Sequence, residues 1–197
     1  MKTIEIQLYK FEELSEAAQK HTIDKNRNFN VDGNFWSDNE IDFFKEAGAI
    51  IGIEIDKVYF SGFWSQGDGA CFEGFYRYKT GSLKNIKEQY PTLTWLHDTA
   101  KSLQDLQKKH FYQLTANVKQ RGHYYHSHCT QIDVDTLNSD RYLTGDTEQD
   151  LIDILRSFMD DMYNSLEKEF DSLTTDEAVK ESLISNEYDF TSEGDIY

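Results

Sequence analysis

Proline is almost absent from this chain: Pro91 is the single one in 197 residues. That excludes a long proline-rich linker and the semi-rigid spacing it would give between domains. Cysteine is nearly as scarce, with Cys71 and Cys129 the whole complement. The chain opens on "MKTIEIQLYKF", which has no apolar core of an export signal. The two thiols are therefore expected to be free, in a reducing, intracellular compartment. No apolar run approaches the length of a membrane helix, so no membrane partner is expected. Positive charge is short as well. Lys and Arg number 20 against 36 Asp and Glu, a formal net charge of −16. Such a balance disfavours direct binding to nucleic acid or anionic lipid, which both call for basic surface.

The deficit is uneven. Residues 1–132 hold 16 basic and 17 acidic residues, a net of −1, whereas residues 133–197 hold 4 and 19, a net of −15. Aromatic residues are plentiful: 12 Tyr, 13 Phe and 3 Trp supply large side chains to bury, which argues for a folded chain with a real core. The length suits one domain over residues 1–197, with residues 146–190 as its acidic helical subregion.

Along the chain, Ile4, Ile6 and Leu8 alternate with Thr3, Glu5 and Gln7, the period of a half-buried strand. Ser15 is placed to cap a helix running to about Asn28, and Asp32-Gly33 has turn chemistry. Ser37 and Glu40 have capping-box spacing ahead of a short helix that Gly48 would end. From Ile50 to Trp64 the chain reads as strand, is interrupted at "SQGDG", and resumes through "ACFEGFYRYK". Ser82 is placed to cap a short helix to Tyr90, which Pro91 breaks. A longer one, roughly Thr94 to His110, sets Leu96, Ala100, Leu103 and Leu106 on one stripe. "FYQLTANVKQ", a turn at Arg121-Gly122, and "HYYHSHCTQIDV" read as a hairpin. Residues 148–172 place Leu151, Leu155, Phe158, Met162 and Leu166 at three-and-four spacing, a strongly amphipathic helix. Another starts at Thr174 or Thr175, and the end frays or packs through Phe190 alone. The sum is an α+β fold: a mostly antiparallel sheet, helices packed on one face, and an acidic helical C-terminal third. The other sheet face is left to water or a partner.

Three constellations bear on function. "SQGDG" lacks the Lys-Ser/Thr and following helix of a phosphate-binding loop, and one carboxylate is too few for calcium. It reads instead as the turn of an aromatic hairpin, with Asp68 fixing the turn through its backbone. Trp64, Phe72 and Phe75 are then candidates to line a shallow groove beside it. Gly62 and Gly74, in strand context, each admit a close neighbour or a bulge. In "HYYHSHC", His126 and His128 fall on one face of the expected strand, two-thirds of a zinc site at best, and nothing in the spacing selects a further ligand. Finally, Asp146, Glu148, Asp150, Asp153, Asp160, Asp161, Glu167, Glu169 and Asp171 crowd the long C-terminal helix. Their repulsion points either to a solvated face or to docking on a cationic surface.

"LYKFEELSEAAQKHTIDKNR", "VYFSGFWSQGDGACFEG" and "SLTTDEAVKESLISNEYDFTSEG" resemble small acidic proteins encoded by bacteriophages. The resemblance implies expression in the cytoplasm of an infected bacterium and an accessory role. It brings no catalytic residues, and it implies a small residue such as Ser in place of Cys71, which argues against an essential thiol there. The leading expectation is a non-enzymatic accessory protein that binds a host or phage protein with a basic surface. Trp64, Asp68, Phe72, Phe75, Asp153, Asp160, Asp161 and Glu167 are its candidate contacts. No cofactor is expected, and a homo-oligomer is admitted. The alternatives are a small metal-dependent hydrolase built on His126 and His128, and a nucleic-acid mimic that inhibits a host defence protein.

Overall fold

A computed structural model of the chain describes residues 5–33, 35–137 and 143–197. Among them, four strands form one antiparallel sheet in sequential order: β1 Ile53–Phe60, β2 Ala70–Arg77, β3 Leu114–Gln120 and β4 Thr130–Thr136. Six α-helices accompany it: α1 Glu16–Lys25, α2 Asp38–Ile51, α3 Ser82–Gln89, α4 Thr94–Lys109, α5 Gly145–Leu173 and α6 Asp176–Ser185. The fold is α+β. The chain divides into two compact units, Asn39–Glu167 with the whole sheet, and Met1–Asp38 with Lys168–Tyr197.

In the sheet unit the alternation of β2 decides which side is core. Ala70, Phe72, Gly74 and Tyr76 are buried, while Phe75 and Arg77 are exposed. Helices α2, α4 and α5 cover the buried side. Phe158 of α5 meets Phe72 at 6.3 Å and Phe44 of α2 at 5.4 Å between ring centroids. The expected stripe of α4 is the buried one, with Leu96, Ala100, Leu103 and Leu106 all in the core. Its Gln107 is fully buried and spends its amide on the exit from the helix, giving Nε2 to the Leu114 carbonyl at 2.7 Å and taking the Leu114 N–H at 3.1 Å.

Several boundaries differ from those read in the sequence. Gly48 does not end α2 but lies inside it, where a Cβ would come within 2.8 Å of the Ile53 carbonyl, so the glycine lets the helix sit on β1. The helix stops instead at Gly52, at φ 93°, whose carbonyl accepts the Arg77 N–H at 2.9 Å. Ile50 and Ile51 therefore belong to the helix, and β1 begins at Ile53 and ends at Phe60, four residues short of Trp64. The expected strand from Phe111 starts at Leu114, because Phe111 and Tyr112 hold φ of 56° and 60°. Ser82 lies within the first turn of α3, with Gly81 as the residue before it.

In the terminal unit, Ser15 caps α1 by accepting the Ala18 N–H, and the helix ends at Lys25 rather than near Asn28. Among the described residues no strand forms over residues 5–8, and the pairing next to them is a single bridge between Tyr9 and Phe190; Thr3 and Ile4 lie outside the described residues. Thr175 caps α6. The tail packs well beyond Phe190: Thr22 Oγ1 donates to the Gly194 carbonyl at 2.7 Å, and Lys25 pairs with Asp195 at 2.6 Å. Phe11, Leu14, Ala18, Val179, Leu183 and Phe190 form the small core of this unit.

Candidate functional site

The loop from residue 61 to 69 is wider than a tight Gly-Asp-Gly turn. Its ends are tied by Ser61 N–H to the Gly69 carbonyl at 3.0 Å. Asp68 organises the middle: its Oδ2 accepts the N–H groups of Trp64 at 3.2 Å and Ser65 at 2.7 Å. The carboxylate is thus a backbone fastener. Tyr163 of α5 anchors the loop from the core side, donating to the Gly62 carbonyl at 3.0 Å with its ring 5.5 Å from that of Phe63. Trp64 stands 74% exposed. The groove expected between Trp64, Phe72 and Phe75 does not form. Phe72 and Phe75 are three apart on one strand and so project to opposite sides. Phe72 is fully buried in the core, and Phe75 is 41% exposed on the outer sheet face.

The histidines are not on a strand. Pairing of Gln120 with Thr130 closes β3 and β4 and leaves residues 121–129 as a loop with a 3-10 turn at Ser127–Cys129. This loop folds over the outer face of the sheet at the Gly69 end. Tyr125 stacks on Tyr59 at 5.4 Å. Cβ atoms at Gly67 and Gly69 would lie 3.1 Å from the Tyr124 ring and 2.7 Å from the His126 Cα. The glycines of "SQGDG" therefore serve close approach to a second loop, which brings Tyr124 and Tyr125, missed in the sequence, beside Trp64's loop. His126 and His128 do come together, rings stacked at 5.4 Å, and His126 Nδ1 accepts the His128 N–H at 3.2 Å. Among the described residues no group of three His, Cys, Asp or Glu side chains is arranged to hold a metal ion.

The same loop makes Cys71 the exception to the alternation of β2: it points outward yet is fully buried. Burial pushes its thiol up to about 11, so at neutral pH it is a protonated, inert group. Cys129 is half-buried, and both cysteines are free. Iodoacetamide at neutral pH is expected to modify Cys129 alone in the native protein, and Cys71 only after denaturation. Peptide mass mapping reads this, and rapid native labelling of Cys71 would show that the loop does not cover it. The raised thiol also fixes a sign. Its contribution to stability is complete below the ordinary thiol range and is lost as pH rises from there through about 11.

On α5, Leu151, Leu155, Phe158, Met159, Met162 and Leu166 are buried. At 100° per residue, Asp146, Asp150, Asp153, Asp160 and Glu167 fall on the opposite stripe. Asp153 and Asp160 are exposed; Asp161 and Glu167 are half-buried. Asp161 lines a cleft of about 300 Å³ with Trp95 and Asp98 of α4. Asp153 and Asp160 stand two turns apart, about 10 Å along the axis. Among the described residues, no Lys or Arg pairs with Asp146, Glu148, Asp150, Asp153 or Asp160.

Residues 36–176 match the profile of a domain of unknown function, DUF8835. The chain belongs to the DUF8835 family. No curated protein and no solved structure matches it. The DUF8835 span takes in the whole sheet unit, and with it both facing loops and the acidic stripe of α5.

Proposed function

We propose that this DUF8835 chain is a non-enzymatic accessory protein of bacteriophage origin that binds a protein with a basic surface, docking through the outer stripe of α5. The observation that carries this reading is the row Asp146, Asp150, Asp153 and Asp160, set outward along one helix and without a cationic partner among the described residues. Unneutralised carboxylates in a row repel one another, and a cationic partner relieves that repulsion on binding. They also steer such a partner in from a distance, at a rate that salt suppresses.

The tagged chain, used as bait in a bacterial lysate, is expected to hold a basic protein at low salt and release it as salt rises. The triple variant Asp150→Asn, Asp153→Asn, Asp160→Asn removes three exposed charges worth roughly 0.5 kcal/mol each, so the captured protein should bind about tenfold more weakly. Recovery of no partner at low or moderate salt, or equal binding by the triple variant, would overturn the proposal.

A further inference from the structure

Among the described residues the sheet ends in β1 on one side and β4 on the other, and the two edges are built differently. β1 carries two of the devices that keep an edge strand from pairing with foreign chains. Its register on β2 shifts between Ile55 and Lys57, a bulge that twists the edge, and Lys57 beside the bulge is exposed. β4 carries neither. Its seven residues pair with β3 without a shift, and "TQIDVDT" has no proline, lysine or arginine.

The direction of each backbone group on β4 follows from one bond. Leu137 donates its N–H to the Gln113 carbonyl at 2.9 Å, in the same register that pairs Leu114 with Thr136. Antiparallel pairs alternate, so Asp135, Asp133 and Gln131 turn their N–H and C=O groups toward β3, while Thr136, Val134, Ile132 and Thr130 turn theirs away. The chain caps both ends of this outward row itself. Asp135 Oδ1 accepts the Thr136 N–H at 2.7 Å, and the Ser127 carbonyl accepts the Thr130 N–H. Among the described residues nothing takes up the N–H or C=O of Ile132 or Val134. Those two residues leave a short open row of donors and acceptors.

The side chains around the row set what fits it. Ile132 and Val134 stand opposite Val118 and Ala116, on the core side of the sheet. Asp133 and Asp135 are exposed on the outer face. Asp133 takes the neutral Gln131 amide at 2.7 Å, and no Lys or Arg pairs with either carboxylate among the described residues. A second copy is a poor fit, because antiparallel pairing of β4 with itself through Ile132 and Val134 sets Asp133 opposite Asp133, and like charges directly opposite are destabilising.

We propose that β4 accepts, as a fifth strand, an extended segment of a partner protein in which basic and apolar residues alternate. The open groups of Ile132 and Val134 bond its main chain. Its basic side chains, two residues apart, meet Asp133 and Asp135, and its apolar ones continue the core side beyond Ile132 and Val134. This contact does not rest on the stripe of α5.

The test uses the full chain and a blocked, labelled hexapeptide of alternating lysine and valine, read by fluorescence anisotropy at low ionic strength. Saturable binding is expected, with a glutamate–valine hexapeptide at least tenfold weaker. Val134→Pro removes an outward N–H at an edge position that proline tolerates, and leaves the pairing with β3 in place. It should lose the peptide, and the double variant Asp133→Asn, Asp135→Asn should bind it about tenfold more weakly. Peptides N-methylated at the valines or at the lysines make the test independent of how the variants fold. Loss in the valine series supports an antiparallel fifth strand, and loss in the lysine series a parallel one. The proposal is overturned if the unmodified peptide does not saturate, or if both methylated peptides bind as it does. It is overturned if Val134→Pro binds like the parent, which would place the peptide on the carboxylates of α5. It is overturned as well if Val134→Pro only dissolves a self-associated form of the chain, which would give the edge to a second copy.

Discussion

Phe158→Ala is expected to remove roughly 3–5 kcal/mol from the unfolding free energy of the sheet unit. The side chain is fully buried, and its ring lies 5.4 Å from Phe44 of α2, 6.3 Å from Phe72 of β2 and 6.3 Å from Trp95 of α4. It is therefore the point at which three elements meet a fourth. Truncation removes the transfer free energy of the benzyl group and leaves a cavity walled by other rings, which cannot collapse without leaving their own contacts. A domain is commonly stable by only about 5–15 kcal/mol, so the loss takes a large share of the total. Phe158→Leu keeps most of the volume and should cost about 1.5 kcal/mol or a little more. Urea denaturation followed by circular dichroism reads both. A Phe158→Ala loss under about 1 kcal/mol would mean that α5 is not seated on the sheet through this ring.

The parts of the fold that were legible in the sequence are those fixed by a local period. The apolar stripe of α5 repeats over 29 residues and could be read directly, as could Leu96 to Leu106 in α4. Caps at Ser15 and Thr175 were legible because the side chain bonds the backbone three residues on. What was not legible depends on contacts far along the chain. Ile50 and Ile51 look like strand, and only the approach of Gly52 to the Arg77 carbonyl shows where the helix ends. Ile6 and Leu8 alternate correctly for a strand, but strand residues need a partner ladder, and among the described residues the nearest pairing is one bridge at Tyr9.

The candidate sites follow the same division. Asp68 is legible in the sequence as a turn fastener, because its bonds run to Trp64 and Ser65 close by. The crowding of acidic residues on α5 is plain in the sequence, and the buried face of the helix then sets Asp146, Asp150, Asp153, Asp160 and Glu167 outward. His126 and His128 have the spacing of strand residues, but the register of β3 on β4, set by many residues together, assigns them to the loop. Cys71 is buried beside Thr130 and Cys129, and Tyr59, its partner across the ladder, is stacked on by Tyr125; no spacing in the sequence announces that these residues come together over the sheet. Phe111 and Tyr112 read as strand on β-propensity, since nothing local favours a left-handed aromatic pair.

Gly74→Ala is expected to be at least as damaging as Phe158→Ala, for a different reason. A Cβ at Gly74 would lie 2.0 Å from the Glu54 carbonyl oxygen, 3.0 Å from its carbon and 3.2 Å from the Ile55 Cα. All three atoms are backbone of the neighbouring strand, so no rotamer change relieves the overlap. Nor is β1 free to swing away. It is paired with β2 on both sides of the contact, Ile53 with Tyr76 and Lys57 with Glu73, and the register shift between Ile55 and Lys57 is what carries its backbone across the glycine. Relief therefore requires β1 to part from β2 locally, which adds lost ladder hydrogen bonds, at about 0.5–1.5 kcal/mol each, to an overpacking cost of about 1–3 kcal/mol. Gly62→Ala supplies the comparison. There a Cβ would meet only the tip of the Asp68 carboxylate, at 3.3 Å, a group able to shift by a few tenths of an ångström. Its cost should stay within about 1 kcal/mol. In hydrogen exchange, Gly74→Ala should lose protection first at the amides of β1, with β3 and β4 following only on global unfolding. Equal stability of the two variants would mean that β1 does not cross Gly74, and that the bulge has some other purpose. A large loss confined to Gly74→Ala would establish that the small residue in "CFEGF" is required by a neighbouring backbone and not by any ligand.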